Sequence, residues 1–293
     1  MTSVVGAWQG EAERAVVLAG GKKLFLDCPL VMGVVNVTPD SFSDGGRYET
    51  VAMAVSHALE MVEQGADIID IGGESSRPGA APVPADEERR RVMPVIEELR
   101  RRTDIPISID TYKSSTARAA LEVGADIVND ISALRFDEQM AGLIAAERVP
   151  VVLMHMRGSP RNMQDDPRYR DCVEEIAGFL AQRIEFCTRS GISRSQIIVD
   201  PGIGFGKRLS DNLEILSRLG RFKQLSQPLL VGASRKSFIG QVHPTGAPAE
   251  RRLGGSIAAA VTAVINGADI VRVHDVAETV EAVRVVQAIR KTA

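Results

Sequence analysis

The chain has 293 residues, of which 44% are apolar and 25% charged, the usage of an ordinary soluble globular protein with room for a large core. Its 35 Lys and Arg against 38 Asp and Glu leave a net charge of −3 with no basic run, which argues against nucleic acid and anionic membranes as partners. No apolar stretch reaches membrane-spanning length, and the first residues, with Glu11 and Glu13, lack a basic-then-apolar leader, so a cytoplasmic protein is expected.

Residues 1–29 form an N-terminal extension in which Ala15 to Leu18, Gly20-Gly21 and Leu24 to Leu26 read as a small β-hairpin, expected to plug the N-terminal face of the domain formed by residues 30–293. Across that domain short apolar runs alternate with stretches of helical period. The runs are Leu30 to Val35, Ile68 to Ile71, Pro106 to Ile109, Ile127 to Val128, Val149 to Met154, Gln196 to Val199, Pro228 to Val231 and Ile270 to Val273. None alternates polar with apolar, which marks strands buried on both faces. Helical periods lie between them, for example Ala52 to Gln64, Glu87 to Arg102, Ser114 to Val123, Arg170 to Ser190 and Arg251 to Asn266. The phrase Gly-Ala-Asp recurs at Gly65-Ala66-Asp67, Gly124-Ala125-Asp126 and Gly267-Ala268-Asp269, each Gly suited to the left-handed position that ends a helix before the next strand. Eight strands separated by seven steps of about 34 residues predict an α/β fold, a (β/α)8 TIM barrel with a short N-terminal β-hairpin extension; a doubly wound open sheet is the alternative. No Pro-rich, Ser-rich or charged linker divides residues 30–293. Cys28, Cys172 and Cys187 form no CxxC pair and read as plain thiols.

In such a barrel the strand C-termini share one mouth. Beyond or inside the run ends stand Asn36, Asp70, Asp110, Asn129, His155, Asp200, the triplet Ser234-Arg235-Lys236, and Arg272 with His274. The loop Asn36 to Gly46 is rich in Gly, Pro and short polar residues around one aromatic, Phe42, and can fold over a ligand. Gly72 to Gly79 has the same character with Arg77 added, which reads equally as an anion ligand or a surface cation. Asp200 to Lys207 carries three glycines but neither the spacing of a P-loop nor that of a dinucleotide fingerprint, so it offers close backbone approach beside a carboxylate. Asp110, Asn129 and Asp200 suit the N–H edge of a flat heterocycle, whereas Arg77, Arg235, Lys236 and Arg272 suit a phosphate or diphosphate.

Six motifs in register resemble the dihydropteroate synthase family: Asn36 to Gly46, Gly72 to Gly79, Leu153-Met154-His155-Met156, Asp200 to Lys207, Gly232 to Ser237, and Arg272-Val273-His274. The mild departure is Ser76, where the family commonly has Thr. The resemblance implies condensation of 6-hydroxymethyl-7,8-dihydropterin diphosphate with 4-aminobenzoate to give 7,8-dihydropteroate and diphosphate in folate biosynthesis. It implies catalytic roles for Asp40, Asp110, Asp200 and Lys236, with Asp110, Asn129, Met154, Asp200, Phe205, Gly232, Lys236 and Arg272 around the pterin. Asn36, Ser76, Arg77, Arg272 and His274 are expected at the diphosphate, Asn36 as the ligand of a Mg²⁺ cofactor. Thr38, Phe42, Pro78, Lys236 and Ser237 are expected to frame 4-aminobenzoate. The family further implies a homodimer, through the last helices. Loss of diphosphate leaves a pterin cation that carboxylates can stabilise, so no covalent nucleophile is needed, and His155 and His274 are not read as general bases.

Two other readings share the pterin pocket. A pterin-dependent methyltransferase needs no diphosphate site, which the arginine-rich corner argues against. A non-catalytic pterin-binding paralogue would have lost Asn36, Arg77 or Lys236, and all three are present.

Overall fold

Runs of Ile, Val and Leu that are buried on both faces form strands only if each face finds a cover, and a ring of parallel strands inside a ring of helices supplies one for each. A computed structural model describes residues 14–38, 47–243 and 245–292. Its strands are β1 (Ala15–Val17), β2 (Lys23–Phe25), β3 (Leu30–Asn36), β4 (Ile68–Gly72), β5 (Ile107–Asp110), β6 (Ile127–Asp130), β7 (Val151–Met154), β8 (Ile197–Asp200), β9 (Leu230–Val231) and β10 (Ile270–Val273). The helices are α1 (Arg47–Glu63), α2 (Ala85–Arg102), α3 (Ser114–Glu122), α4 (Met140–Glu147), α5 (Cys172–Arg189), α6 (Leu209–Ser217), α7 (Ser237–Val242), α8 (Leu253–Ile265) and α9 (Val276–Arg290). From β3 to β8 each strand pairs in parallel with the next, and β10 lies between β9 and β3. The seam from β8 to β9 is closed by one parallel bridge, Val199 to Leu229, beside a hydrogen bond of 2.9 Å from the Val199 N–H to the Pro228 carbonyl. Pro228 has no N–H to return, so β9 is shorter than its apolar run. Closure decides against the open doubly wound sheet.

Outward residues such as Ile69 and Ile71 join Val92, Val95, Ile96 and Leu99 of α2 in the large cluster between sheet and helices. Inward residues Leu30, Met32, Ile68, Ile127, Val152, Ile198, Leu230 and Ile270 fill the lower barrel, and Val16, Leu18 and Leu26 from the hairpin join the same cluster. The antiparallel pair β1–β2 therefore caps the barrel's N-terminal end, as expected.

The repeated Gly-Ala-Asp phrase has one structural meaning. Gly65, Gly124 and Gly267 adopt φ of +98°, +112° and +106°. The following alanine N–H reaches back to the carbonyl five residues earlier, Ala66 to Met61, Ala125 to Ala120 and Ala268 to Ala263, at 2.8–2.9 Å, which closes the helix end. Each aspartate then accepts the N–H at the start of the neighbouring strand: Asp67 from Val31, Asp126 from Ile107 and Asp269 from Leu229. At all three sites its own N–H donates to that same residue's carbonyl. The phrase thus stops a helix and sets the register of two strands at the end of the barrel away from the mouth.

Candidate active site

Residues two apart along a strand point to the same side, so the inward set that is apolar at the bottom turns polar at the top: Asp70 follows Ile68, Asn129 follows Ile127, Asp200 follows Ile198 and Arg272 follows Ile270. Asp110, two residues beyond the buried Ser108, completes the ring. Arg272 organises it. Its Nε is 2.6 Å from Asp70 Oδ2 and its terminal nitrogen 2.7 Å from Asp110 Oδ2. Burial works against the guanidinium charge, yet Asp70 and Asp110 hold its pKa above the usual range. Asn129 donates its amide to Asp70 Oδ2 at 3.2 Å, which leaves its carbonyl oxygen as an acceptor for a ligand.

Burial pushes the Asp110 carboxyl up, against Arg272 and reinforced by Asp70 and Glu88. Burial also lifts Asp200 to about 6, with the Gly202 N–H, donated to Oδ1 at 2.7 Å, and Lys236 acting in the opposite sense. Lys236 is lowered to about 8 by burial and by Arg272, and its ammonium sits 3.9 Å from the centroid of the Phe205 ring. The mouth thus holds a cation over an aromatic face between buried carboxylates, with Met154, Met156, Met163, Ile131, Phe205 and the partly buried Tyr112 as its apolar wall. Such a pocket takes a flat, polar-edged heterocycle and can offset charge that develops on it.

The glycines of the Asp200 to Lys207 loop serve close approach, but to the protein itself. Gly202, at φ +69°, would place a Cβ 2.0 Å from the His155 carbonyl oxygen, and Gly204, at φ +82°, would press one to 3.1 Å from the Lys236 stem. His155 turns away from the mouth: its Nδ1 is 3.0 Å from the buried Lys207 ammonium, and its ring stands edge-on to Phe179. Burial and Lys207 hold the imidazole neutral, and burial lowers Lys207 itself to about 7. His274, with Nδ1 3.1 Å from Ser234 Oγ, is driven down to about 3 by burial and by Arg272, so it too is neutral at pH 7.

Of the residues named from sequence, the structure brings Asp110, Asn129, Met154, Asp200, Phe205, Gly232, Lys236, Arg272 and His274 to this mouth. Asn36 ends β3, Thr38 follows it, and Ser237 opens α7. Ser76, Arg77 and Pro78 lie on the rim loop after β4, where the Gly79 N–H donates to the Pro160 carbonyl at 3.1 Å and so ties this loop to the one after β7. Asp40 and Phe42 fall outside the described residues. Arg235 departs from the expected phosphate corner, because its guanidinium is engaged by Asp275 at 2.5 and 3.1 Å. Behind the rim lies a second ionic cluster that no motif of the chain marks, in which Lys113 joins Glu74 and Glu88. Its only linear signal is a lysine three residues past the end of β5, and partners 39 and 25 residues away carry no local signature.

The family model described as pterin binding enzyme matches residues 32–274. Dihydropteroate synthase of Escherichia coli (strain K12) is 51% identical over 271 residues, covering 92% of this chain and 95% of the relative. The solved Xanthomonas albilineans dihydropteroate synthase with 4-aminobenzoic acid is 48% identical with a TM-score of 0.89, covering 95% of this chain and 99% of that one. The same organism's enzyme in complex with 7,8-dihydropteroate is 46% identical with a TM-score of 0.85, covering 94% of this chain and 98% of that one.

Proposed function

This chain belongs to the pterin-binding enzyme family, among the dihydropteroate synthases, and we propose that it condenses 6-hydroxymethyl-7,8-dihydropterin diphosphate with 4-aminobenzoate, giving 7,8-dihydropteroate and diphosphate. The observation that carries the reading is the constellation of half-buried Arg272 between buried Asp70 and half-buried Asp110, with Asn129, Asp200 and Lys236 at the same mouth.

In this reading the Asn129 carbonyl and the Asp110 and Asp200 carboxylates accept the pterin's N–H groups, Lys236 donates to its ring acceptors, and Met154, Phe205, Gly232 and Arg272 enclose its faces. The C–O bond to diphosphate breaks ahead of attack, and the positive charge left on the pterin methylene spreads into the ring beside Asp110 and Asp200, each a preorganised stabiliser. Arg272 is already balanced by two carboxylates, so Arg77 and Lys236 supply the cationic charge that meets the diphosphate, with hydrogen bonds from Ser76 and neutral His274. The arylamine, framed by Thr38, Phe42, Pro78, Lys236 and Ser237, attacks the methylene and loses a proton, with Asp40 assigned to that step.

The donor set at the diphosphate end suits Mg²⁺. Among the described residues no three His, Cys, Asp or Glu side chains gather as a metal cage, while Asn36 ends β3 with a single neutral oxygen, and Mg²⁺ is commonly held by one or two protein oxygens, substrate phosphates and water. Asn36 would hold the ion, which when bound offsets charge on the leaving diphosphate.

A cytoplasmic location agrees with the absence, among the described residues, of any helix long and apolar enough to cross a membrane. A homodimer through the last helices is supported by the outward apolar side chains Ile265 on α8 and Val285 and Ile289 on α9, all more than half exposed; sedimentation equilibrium measures it directly. The activity itself is tested with purified protein, Mg²⁺ and both substrates. Diphosphate and dihydropteroate released in equal amounts, and only when both substrates are present, establish the reaction. Pterin binding without either product would leave a non-catalytic binder.

A further inference from the structure

Behind the rim loop that carries Ser76, Arg77 and Pro78 lies an ionic cluster that, among the described residues, makes no hydrogen bond or ion pair to Asp110, Asn129, Asp200, Lys236 or Arg272, and that meets the mouth only through Tyr112 of its apolar wall. The Lys113 ammonium is 2.5 Å from Glu74 Oε2 and 2.7 Å from Glu88 Oε2, and it lies 4.5 Å from the centroid of the Tyr112 ring. Glu88 is fully buried, its Oε2 also accepts from Thr116 Oγ1 at 3.2 Å, and its Oε1 has no partner. Glu74 begins the loop and closes it: Oε2 accepts the Val83 N–H at 3.0 Å, nine residues on, and Oε1 accepts the Tyr112 hydroxyl at 2.7 Å. Arg91 donates to the Gly73 carbonyl at 2.9 Å, and Gly73 sits so close to α2 that a Cβ would lie 2.8 Å from Val92. The two ends of the loop are therefore clamped through one carboxylate, and that carboxylate is held beside a second by one lysine.

We propose that Lys113 is a positioning residue that aims Arg77, which rests on Arg77 binding the diphosphate as proposed for the reaction. Among the described residues Arg77 makes no ion pair, and its side chain is exposed, so the path of its loop decides where the guanidinium stands. Two carboxylates on one ammonium stay in place only while the cation is there; without it Glu74 and Glu88 repel in a low-dielectric setting, and the hinge of the loop opens. Lys113 also stands three residues after Asp110, so the end of β5 presents a pterin-edge carboxylate on one side and the support of the Arg77 loop on the other. The spacing between the heterocycle site and the anion site is then set by one strand end.

The test is a double-mutant cycle read by isothermal titration with two probes, the dihydropterin diphosphate and the same 6-hydroxymethyl dihydropterin without diphosphate, on wild type, Lys113→Met, Arg77→Ala and the double variant. Lys113→Met should weaken the diphosphate probe about tenfold, leave the alcohol within about twofold, and add little to Arg77→Ala, because residues in one network couple. Lys113→Arg should restore most of the loss. Equal weakening of both probes, or losses that add in the double variant, would overturn the proposal while leaving Arg77 at the diphosphate. An Arg77→Ala protein that binds the diphosphate probe as well as wild type would overturn both. Should Lys113→Met fail to fold, Tyr112→Phe keeps the ring that lines the mouth and removes only its hydrogen bond to Glu74, without stranding a charge. It should show the same selectivity at about two- to fivefold, and no selectivity would count against the proposal.

Discussion

Replacing Asp200 by Asn should make the protein more stable and less active. Asp200 is 5% exposed, and burial lifts its carboxyl from the usual 3.8 to about 6 even after the Gly202 hydrogen bond and the nearby lysines have acted. At about 1.4 kcal/mol per pH unit, holding that group ionised in the fold costs roughly 3 kcal/mol at pH 7 relative to the unfolded chain. Asparagine keeps an oxygen for the Gly202 N–H and carries no charge, although its buried amide nitrogen needs a partner, so a net gain of about 1–3 kcal/mol is expected. The sign fixes the pH dependence. A carboxyl whose folded-state pKa is raised contributes nothing adverse below about 3.8, where it is protonated in both states, and its cost builds as the pH rises from there and is complete above about 6. The advantage of Asp200→Asn should therefore shrink to about 1 kcal/mol or less near pH 4.5. Urea unfolding of both proteins at the two pH values measures it, and pterin titration should show affinity lost by roughly 1.5–3 kcal/mol as a charged acceptor disappears. A variant less stable than wild type at pH 7, or a difference that ignores pH, would refute the claim that Asp200 is a strained, functional carboxylate.

The same groups shape catalysis. With Asp200 near 6 and Lys236 near 8, kcat/KM for the pterin substrate should rise through about pH 6 and fall above about pH 8, and Lys236→Arg should push the alkaline limb upward, since a guanidinium does not titrate there; an unmoved limb would assign it to another group. Gly202→Ala would force a Cβ to 2.0 Å from the His155 carbonyl at φ +69° and should cost at least about 2 kcal/mol by chemical denaturation, together with pterin affinity, because the Asp200 oxygen loses its fixed donor. In the hairpin, Leu18→Ala should lower stability by about 2–4 kcal/mol while leaving KM for both substrates unchanged, since Leu18 is 2% exposed at the barrel end opposite the mouth; a KM change would tie the plug to the site.

Much of this molecule is local in origin. The doubly buried runs, the helical periods and the helix-ending glycines of the three Gly-Ala-Asp phrases each act over fewer than about twenty residues, so the βα order, the inward turn from apolar to polar along several strands, and the set of groups at the mouth are legible in the chain itself. Even the hairpin plug follows from two short runs, Ala15 to Leu18 and Leu24 to Leu26, around Gly20-Gly21. Partnership is what the linear pattern leaves open. That Arg272 rather than Lys236 would bridge Asp70 and Asp110, 202 and 162 residues away, depends on which strands become neighbours when β10 returns to β3. Arg235, one residue from Lys236 and of like charge, is drawn by its positive φ to Asp275 instead of the mouth. His155 looks like a ligand at a strand end and proves to be held by Lys207, while Lys113 is inconspicuous in sequence and holds two carboxylates. The shifts at Asp200 and Lys236 arise from burial, a property of the closed barrel and of no single segment. Residue type and period determine which elements form and which groups reach the mouth; the closure of the ring decides which charges meet there, and how far from water.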